Sequence, residues 1–84
     1  MKLRDLLGLN VQRLRREKKL SQEQLSFRSG RSRAYLSGVE AGRRNATLET
    51  LEVLAEALEV EPCELISHHS AHRSPEGDRP TDNS

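Results

Sequence analysis

The chain contains 84 residues, with one cysteine, no tryptophan and only two aromatic side chains, Phe27 and Tyr35. This length allows one small domain, the leucine-rich apolar content favours packed helices over a sheet, and a single cysteine excludes an internal disulfide. Charged residues interrupt the N-terminal leucines, which excludes a signal peptide or a membrane span there and leads us to expect a cytoplasmic protein.

Charge is divided sharply along the chain, although its net charge is only +1. Residues 1–45 contain twelve Lys or Arg and four Asp or Glu, whereas residues 46–66 contain six Glu and no basic residue. A chain polarised in this way suits binding a polyanion with one face while an acidic face turns away. The alternative is chance clustering of solvated charges.

The first predicted helix runs from Leu3 to about Lys18. Its apolar residues recur at spacings of four, four and three, which is the pattern of one buried face. They are Leu3, Leu7, Val11 and Leu14. Basic residues, including Arg13 and Lys19, lie off this stripe.

A short second helix is predicted from Gln22 to about Arg28. Ser21 can cap its first turn, and Gln24, three residues later, completes a capping box. Gly30 ends it, since glycine adopts the left-handed conformation without a steric penalty.

The third predicted helix begins almost at once and runs from Arg33 to Ala41. Ser32 can cap it, Leu36 and Val39 face inward, and Gly42 ends it. Two short helices joined by a tight glycine turn form the helix-turn-helix arrangement.

Two further helices follow. Thr47 can cap a fourth helix with an apolar stripe at Leu51, Leu54, Ala55 and Leu58. Pro62 suits the first position of a short fifth helix. The fold class is therefore all-α, with a five-helix domain at residues 1–66. Residues 67–84 lack large apolar side chains and are predicted to form a disordered tail.

No pattern in the sequence is typical of a catalytic, metal or cofactor site. The three histidines, His68, His69 and His72, all lie in the predicted tail, and no glycine-rich phosphate-binding loop is present. Cys63 lacks a second cysteine for a zinc pair and a folded histidine to activate it. We therefore expect no enzyme activity, metal, cofactor, membrane partner or small-molecule ligand.

The order and spacing of the motifs over residues 7–66 resemble the lambda-repressor and Cro type of helix-turn-helix domain, the xenobiotic-response-element family of bacterial and phage regulators. The motifs are L-G-x-x-V-x-x-L-R from Leu7, L-S-Q-E-Q-L from Leu20, Y-L-S-x-V-E from Tyr35, G-R-R-N from Gly42 and T-L-E-T-L-x-x-L-A-x-A-L from Thr47. The tract R-x-Y-L-S-G-V-E from Arg33 is more particularly similar to restriction–modification controller proteins. Four residues depart from the family pattern, namely Ser26, Arg31, Ala46 and Glu59.

This resemblance implies a lambda-repressor-like fold and a homodimeric, sequence-specific DNA-binding transcription regulator that controls its own promoter. It also implies a buried ion pair between Arg15 and Glu40. The alternative function is a protein-interaction module, such as an antitoxin or an adaptor, that retains the helix-turn-helix fold.

The third helix carries the candidate base contacts. Arg33 can donate two hydrogen bonds to guanine O6 and N7 in the major groove. Ser37 lies one turn later on the same face, Ala34 can touch a thymine methyl, and Gly38 lets the helix backbone approach closely. Tyr35 is either a boundary ring of the core or a base or phosphate contact.

The candidate phosphate contacts flank that helix. Gln22 and Ser32 offer side-chain donors beside the free N–H groups of helix N-termini. The loop after the third helix, whose equivalent touches phosphate in the family, adds Arg43, Arg44 and Asn45; a merely solvated basic turn is the alternative. For Arg28 and Arg31 the sequence does not decide between a phosphate contact and a merely solvated side chain.

The predicted dimer interface lies at the acidic C-terminal end. The fifth helix and its surroundings have more apolar groups than so small a domain needs for its core, namely Val60, Cys63, Leu65 and Ile66. The alternative is that these residues only close the core of the monomer.

Overall fold

The structure, a computed structural model, describes residues 1–68, and all regular secondary structure in this part is helical. The helices are α1 (Leu3–Glu17), α2 (Gln22–Ser29), α3 (Arg33–Glu40), α4 (Leu48–Leu58) and α5 (Pro62–Leu65). The predicted all-α, five-helix class is confirmed. Of the predicted tail, residues 67–84, all but Ser67 and His68 lie outside the described residues. No helix within residues 1–68 has the length and apolar character required to cross a membrane.

Side-chain caps begin the helices where the sequence predicts them. The Ser21 hydroxyl accepts from the N–H of Gln24 at 3.0 Å, and the Gln24 side chain accepts from the N–H of Ser21 at 2.8 Å. Ser32 and Thr47 cap α3 and α4 in the same way. Because each cap satisfies an otherwise unpaired N–H, the caps fix where α2, α3 and α4 begin.

Two helices end on a residue other than glycine in the left-handed region. Lys19 follows α1 and Glu59 follows α4, each with φ of 60°. At the second of these turns the N–H of Val60 donates to the carbonyl of Ala55 at 2.9 Å. Glu59 thus takes the conformation for which the family commonly uses glycine, at a steric cost of about 1–2 kcal/mol.

The hydrophobic core receives side chains from all five helices. Its fully buried members of larger volume are Val11, Leu25, Leu36, Val39, Leu54, Leu58 and Leu65. Leu3 differs from the prediction, since it is 62% exposed and Leu6 is the first buried residue of α1. The first turn of α1 therefore extends beyond the core.

Gly8 sets the distance between α1 and α3. A Cβ atom at this position would collide with the carbonyl oxygens of Val39 and Glu40 at the end of α3. Backbone atoms cannot move aside as a flexible side chain can, so only glycine permits this close crossing. The crossing positions α3 against the rest of the domain.

Candidate nucleic-acid interface

A hydrogen-bonded network joins α1, α2 and the end of α3. Arg15 donates to both carboxylate oxygens of Glu40, from Nε at 2.7 Å and from Nη2 at 3.1 Å, and its Nη1 donates to the carbonyl of Leu20 at 2.8 Å. The hydrogen bond to Glu40 raises the pKa of Arg15 against the opposing effect of burial, and the Glu40 charge adds to the rise. The two-point geometry allows little rotation of α3 about α1.

Gln22 also belongs to this network. Its side-chain amide donates to Glu40 Oε1 at 3.1 Å. The side chain predicted to contact phosphate is therefore bonded to Glu40, which the sequence alone did not indicate. The backbone N–H of Gln22, in the first turn of α2, has no acceptor within the helix and points out of the helix N-terminus.

Three exposed residues of α3, Arg33, Ala34 and Ser37, form what we call the α3 face. Leu36 and Val39 lie on the opposite side of the same helix and are fully buried. The helix α3 therefore has the two faces that the sequence predicts: small or hydrogen-bonding side chains face outward, and apolar side chains face the core. Ser32 is also exposed, and its hydroxyl accepts from the N–H of Tyr35 at 3.0 Å.

Arg44 lies across α3 beside the α3 face. Its Cζ is 5.4 Å from the centre of the Tyr35 ring, a cation–π distance. A Cβ atom on Gly38 would lie only 2.8 Å from the Arg44 Cγ. Gly38 is therefore buried under the Arg44 side chain, which would have to move before the α3 backbone at Gly38 could approach DNA closely. Tyr35 is partly buried and packs against the core, so its ring is a boundary residue in this state.

The loop after α3 is bonded to the start of α1. Arg4 Nε donates to the carbonyl of Gly42 at 3.1 Å, and its Nη1 lies 3.5 Å from Asn45 Oδ1. Asn45 and Arg43 are exposed. Sequence reasoning missed Arg4, because nothing in its local pattern distinguishes it from the other basic residues of α1.

The two arginines left open by the sequence both contact α4. Arg31 lies 3.4 Å from the Thr50 hydroxyl through Nε and through Nη2, and Arg28 Nη1 lies 3.4 Å from the carbonyl of Ala57. These contacts join α2 and the turn after it to α4. They favour a structural role for both side chains.

Part of the predicted dimer interface at the C-terminal end is wrong, because not all four predicted residues are exposed. Leu65 is 0% exposed within the core, so its side chain is not available to a second copy. Val60 is half-buried against the same core, whereas Cys63 is exposed and Ile66 is 38% exposed. The reason is geometric, since a four-residue helix directs only one side chain back between α1 and α4.

Asn10 is a second residue that sequence reasoning missed. It is buried in the middle of α1 and donates hydrogen bonds to the chain after α5. Its spacing was the available signal, because it lies four residues from both Leu6 and Leu14, on a face that is otherwise apolar. Within residues 1–68, no three His, Cys, Asp or Glu side chains converge on a possible metal position.

Known proteins resemble the chain over most of its length. Residues 11–65 match the helix-turn-helix family. The uncharacterised HTH-type transcriptional regulator y4dJ of Sinorhizobium fredii is 54% identical over 67 residues, which cover 80% of this chain and 87% of that protein. The control protein C.SmaI of Serratia marcescens is 42% identical over 67 residues, which cover 80% of each chain.

Solved structures agree with these sequence matches. The crystal structure of the restriction–modification controller protein C.AhdI from Aeromonas hydrophila has a TM-score of 0.72 and 47% sequence identity, and the match covers 74% of this chain and 94% of that chain. The resemblance inferred from the motifs is thereby confirmed, for the lambda-repressor type of fold and for the controller proteins alike. The chain belongs to the helix-turn-helix family of DNA-binding transcriptional regulators.

Proposed function

We propose that the protein is a homodimeric, sequence-specific regulator that contacts bases in the major groove with α3 and controls its own promoter in the bacterial cytoplasm. The observation that carries the proposal is the α3 face, which is exposed on one side of a helix that is buried on the other. The Arg15–Glu40 hydrogen bonds hold this helix against α1. A rigidly held helix with small or hydrogen-bonding exposed side chains suits the major groove.

Arg33 is the principal base contact in this proposal. Its guanidinium can donate to guanine O6 and N7 together, a contact worth about 1–3 kcal/mol of discrimination between bases. Ser37 and Ala34, further along the α3 face, add a polar contact and a methyl contact. Arg43, Arg44, Asn45 and the N–H groups at the starts of α2 and α3 would bind phosphates and fix the register.

A second copy is required by the size of one recognition helix, which contacts only a few base pairs. Related helix-turn-helix proteins place two such helices about 34 Å apart, on successive turns of the groove. We propose that Cys63 and Ile66, with Leu3 and Leu51 beside Ile66, form the contact between copies. Ile66 lines a shallow groove of about 100 Å³ with those two leucines. Leu65 was predicted to belong to the same contact, but it is fully buried and we assign it to the core of the monomer.

Acidic residues surround the proposed contact. Glu59, Glu61 and Glu64 are exposed on and beside α5. Their repulsion across a two-fold axis would limit dimer strength at low salt, and screening by added salt would relieve it. We therefore expect dissociation constants in the micromolar range or tighter, with the dimer favoured by salt or by DNA.

Selection of bound duplexes from a random pool, using the full chain, tests the function. Sequence-specific homodimeric binding predicts an enriched site with two related half-sites about 10 base pairs apart. The same site should occur upstream of the gene that encodes the chain if it controls its own promoter, and a reporter fused to that region should respond to the protein. Enrichment of no sequence, or of a single isolated half-site, would contradict the proposal.

A further inference from the structure

Asn10 is a polar side chain in an otherwise apolar contact between α1 and the end of α5. It is 2% exposed. Its Nδ2 donates to the carbonyl of Leu65 at 2.9 Å and to the carbonyl of Ser67 at 2.8 Å, and its Oδ1 lies 3.4 Å from Arg13 Nη2. Both amide hydrogens and the amide oxygen therefore have partners.

The orientation of this amide follows from all three partners, since the carbonyls of Leu65 and Ser67 can only accept and Arg13 can only donate. A guanidinium donates hydrogen bonds and accepts none, so the oxygen of Asn10 must be the atom on its side. The amide nitrogen then faces the two carbonyls. Arg13 Nη1 also donates to Glu17 Oε2 at 3.2 Å, in a pair of solvent-accessible side chains one helical turn apart.

The two carbonyls that accept from Asn10 lie on either side of Ile66. Leu65 precedes this residue and is fully buried, whereas Ser67 follows it and is exposed. Holding both flanking carbonyls at one buried nitrogen restricts the backbone at Ile66. The direction in which the isoleucine side chain points is thereby restricted as well.

The helix α5 cannot supply this restriction itself. It has four residues, and its C-terminal hydrogen bond, from the N–H of Ile66 to the carbonyl of Cys63, is long at 3.3 Å. The Ser67 hydroxyl donates to that same carbonyl of Cys63. Side chains, rather than a regular helical ladder, therefore hold the end of α5.

We infer that Asn10 is a positioning residue for self-association, acting through Ile66. The buried amide fixes the two carbonyls beside Ile66 and so presents this side chain, together with the shallow groove at Leu3 and Leu51, to a second copy. This inference rests on the proposed homodimer. Asparagine suits the position because its amide has the required two donors and one acceptor, whereas the carboxylate of aspartate would repel both carbonyls.

Sedimentation equilibrium of the full chain without DNA tests this assignment, alongside urea unfolding of the same samples. Asn10→Ala is compared with Val11→Ala, a core change one residue away that touches neither carbonyl. The dimer dissociation constant should rise about tenfold or more for Asn10→Ala, and should stay within about twofold of wild type for Val11→Ala, even if both lose stability. In an Ile66→Ala background, Asn10→Ala should have no further effect on dimerisation.

A surface variant covers the case in which Asn10→Ala does not fold. Arg13→Ala removes the donor to the amide oxygen of Asn10 and should weaken the dimer less than Asn10→Ala does, about threefold. Arg16→Ala removes the same charge three residues later and should leave dimerisation unchanged.

The measurements distinguish failure of the positioning role of Asn10 from failure of the proposed homodimer. A dimeric wild type whose dissociation constant responds no more to Asn10→Ala and Arg13→Ala than to their controls overturns the positioning role while the homodimer stands. A wild type that remains monomeric at tens of micromolar overturns the homodimer, and this inference with it.

Discussion

Arg33 and Arg44 are both exposed arginines of the proposed DNA surface, but their surroundings differ. Arg33 stands in the first turn of α3 with its side chain exposed, whereas Arg44 lies against Tyr35 and covers Gly38. A side chain at the start of a recognition helix reaches base edges, and one in the following loop reaches the DNA backbone. The two residues are therefore expected to contribute differently to binding.

Arg33→Ala and Arg44→Ala should separate base from phosphate contacts. Arg33→Ala should lose about 1–3 kcal/mol on the selected site and reduce the preference for one base pair in each half-site. Arg44→Ala should weaken binding to selected and random DNA alike and reduce the salt dependence of log K by about one. Fluorescence anisotropy titrations over a range of salt measure both effects. Equal losses on all DNA for both variants would refute the assignment.

The Arg15–Glu40 pair predicts a strong effect on stability. Its side chains are only 12% and 5% exposed, so Arg15→Met leaves Glu40 as a buried charge that has lost its main partner. We expect a loss of about 3–5 kcal/mol in the free energy of unfolding, measured in urea. The double variant Arg15→Met, Glu40→Met should recover much of this loss. Additive losses in the double variant would show that the pair is not coupled.

At the scale of the helices, the starts are better defined than the ends. Side-chain caps fix the beginnings of α2, α3 and α4, but α1 and α4 end on Lys19 and Glu59 in the left-handed region. A residue that has a Cβ atom is strained in this conformation, whereas glycine is not. The ends of α1 and α4 are therefore positions at which the domain can be made more stable.

Glu59→Gly should stabilise the domain. Relief of the left-handed strain outweighs the extra entropy of glycine in the unfolded chain, so we expect a gain of about 0.5–1 kcal/mol. The matched control is Glu56→Gly, the same substitution inside α4, which should cost about 1 kcal/mol. Thermal unfolding of the two variants should shift in opposite directions. A loss for both would show that the turn at Glu59 is not strained.

At the scale of the whole molecule, charge and hydrophobicity are divided between two ends. Within residues 1–68 every Lys and Arg precedes α4, in α1, α2, α3 or the segments beside them, whereas α4 and α5 carry only acidic charges. The exposed apolar groups Leu3 and Ile66 lie together at the shallow groove beside Leu51. This division suits binding DNA with the basic surface and a second copy with the apolar groove, and the two surfaces adjoin at Asn45, which also lines the groove.

Ile66→Glu tests that division of surfaces. Because Ile66 is 38% exposed, a carboxylate there can stay in water, so the domain should remain folded. The added charges would meet Glu61 and Glu64 across the two-fold axis, and the dimer should dissociate. Analytical ultracentrifugation and a binding assay on a site with two half-sites should show a monomer without cooperative occupancy. A folded variant that is still dimeric would exclude this surface.

Local pattern in the sequence determined the helices and much of the α3 face. Caps at Ser21, Ser32 and Thr47, and the apolar spacing of each helix, depend on residues three or four positions apart and are visible without a fold. The Arg15–Glu40 pair was predicted through the family resemblance rather than from local pattern, and its two residues are hydrogen-bonded in the structure.

Only the tertiary structure decided which side chains meet across the chain. Asn10 and Leu65 are 55 residues apart, and Arg4 and Gly42 are 38 apart, so no local spacing indicates that they form hydrogen bonds. The burial of Leu65, beside an exposed Ile66, likewise depends on how α5 lies between α1 and α4. Helix formation follows from neighbouring residues, whereas the surfaces left for DNA and for a second copy follow from long-range packing.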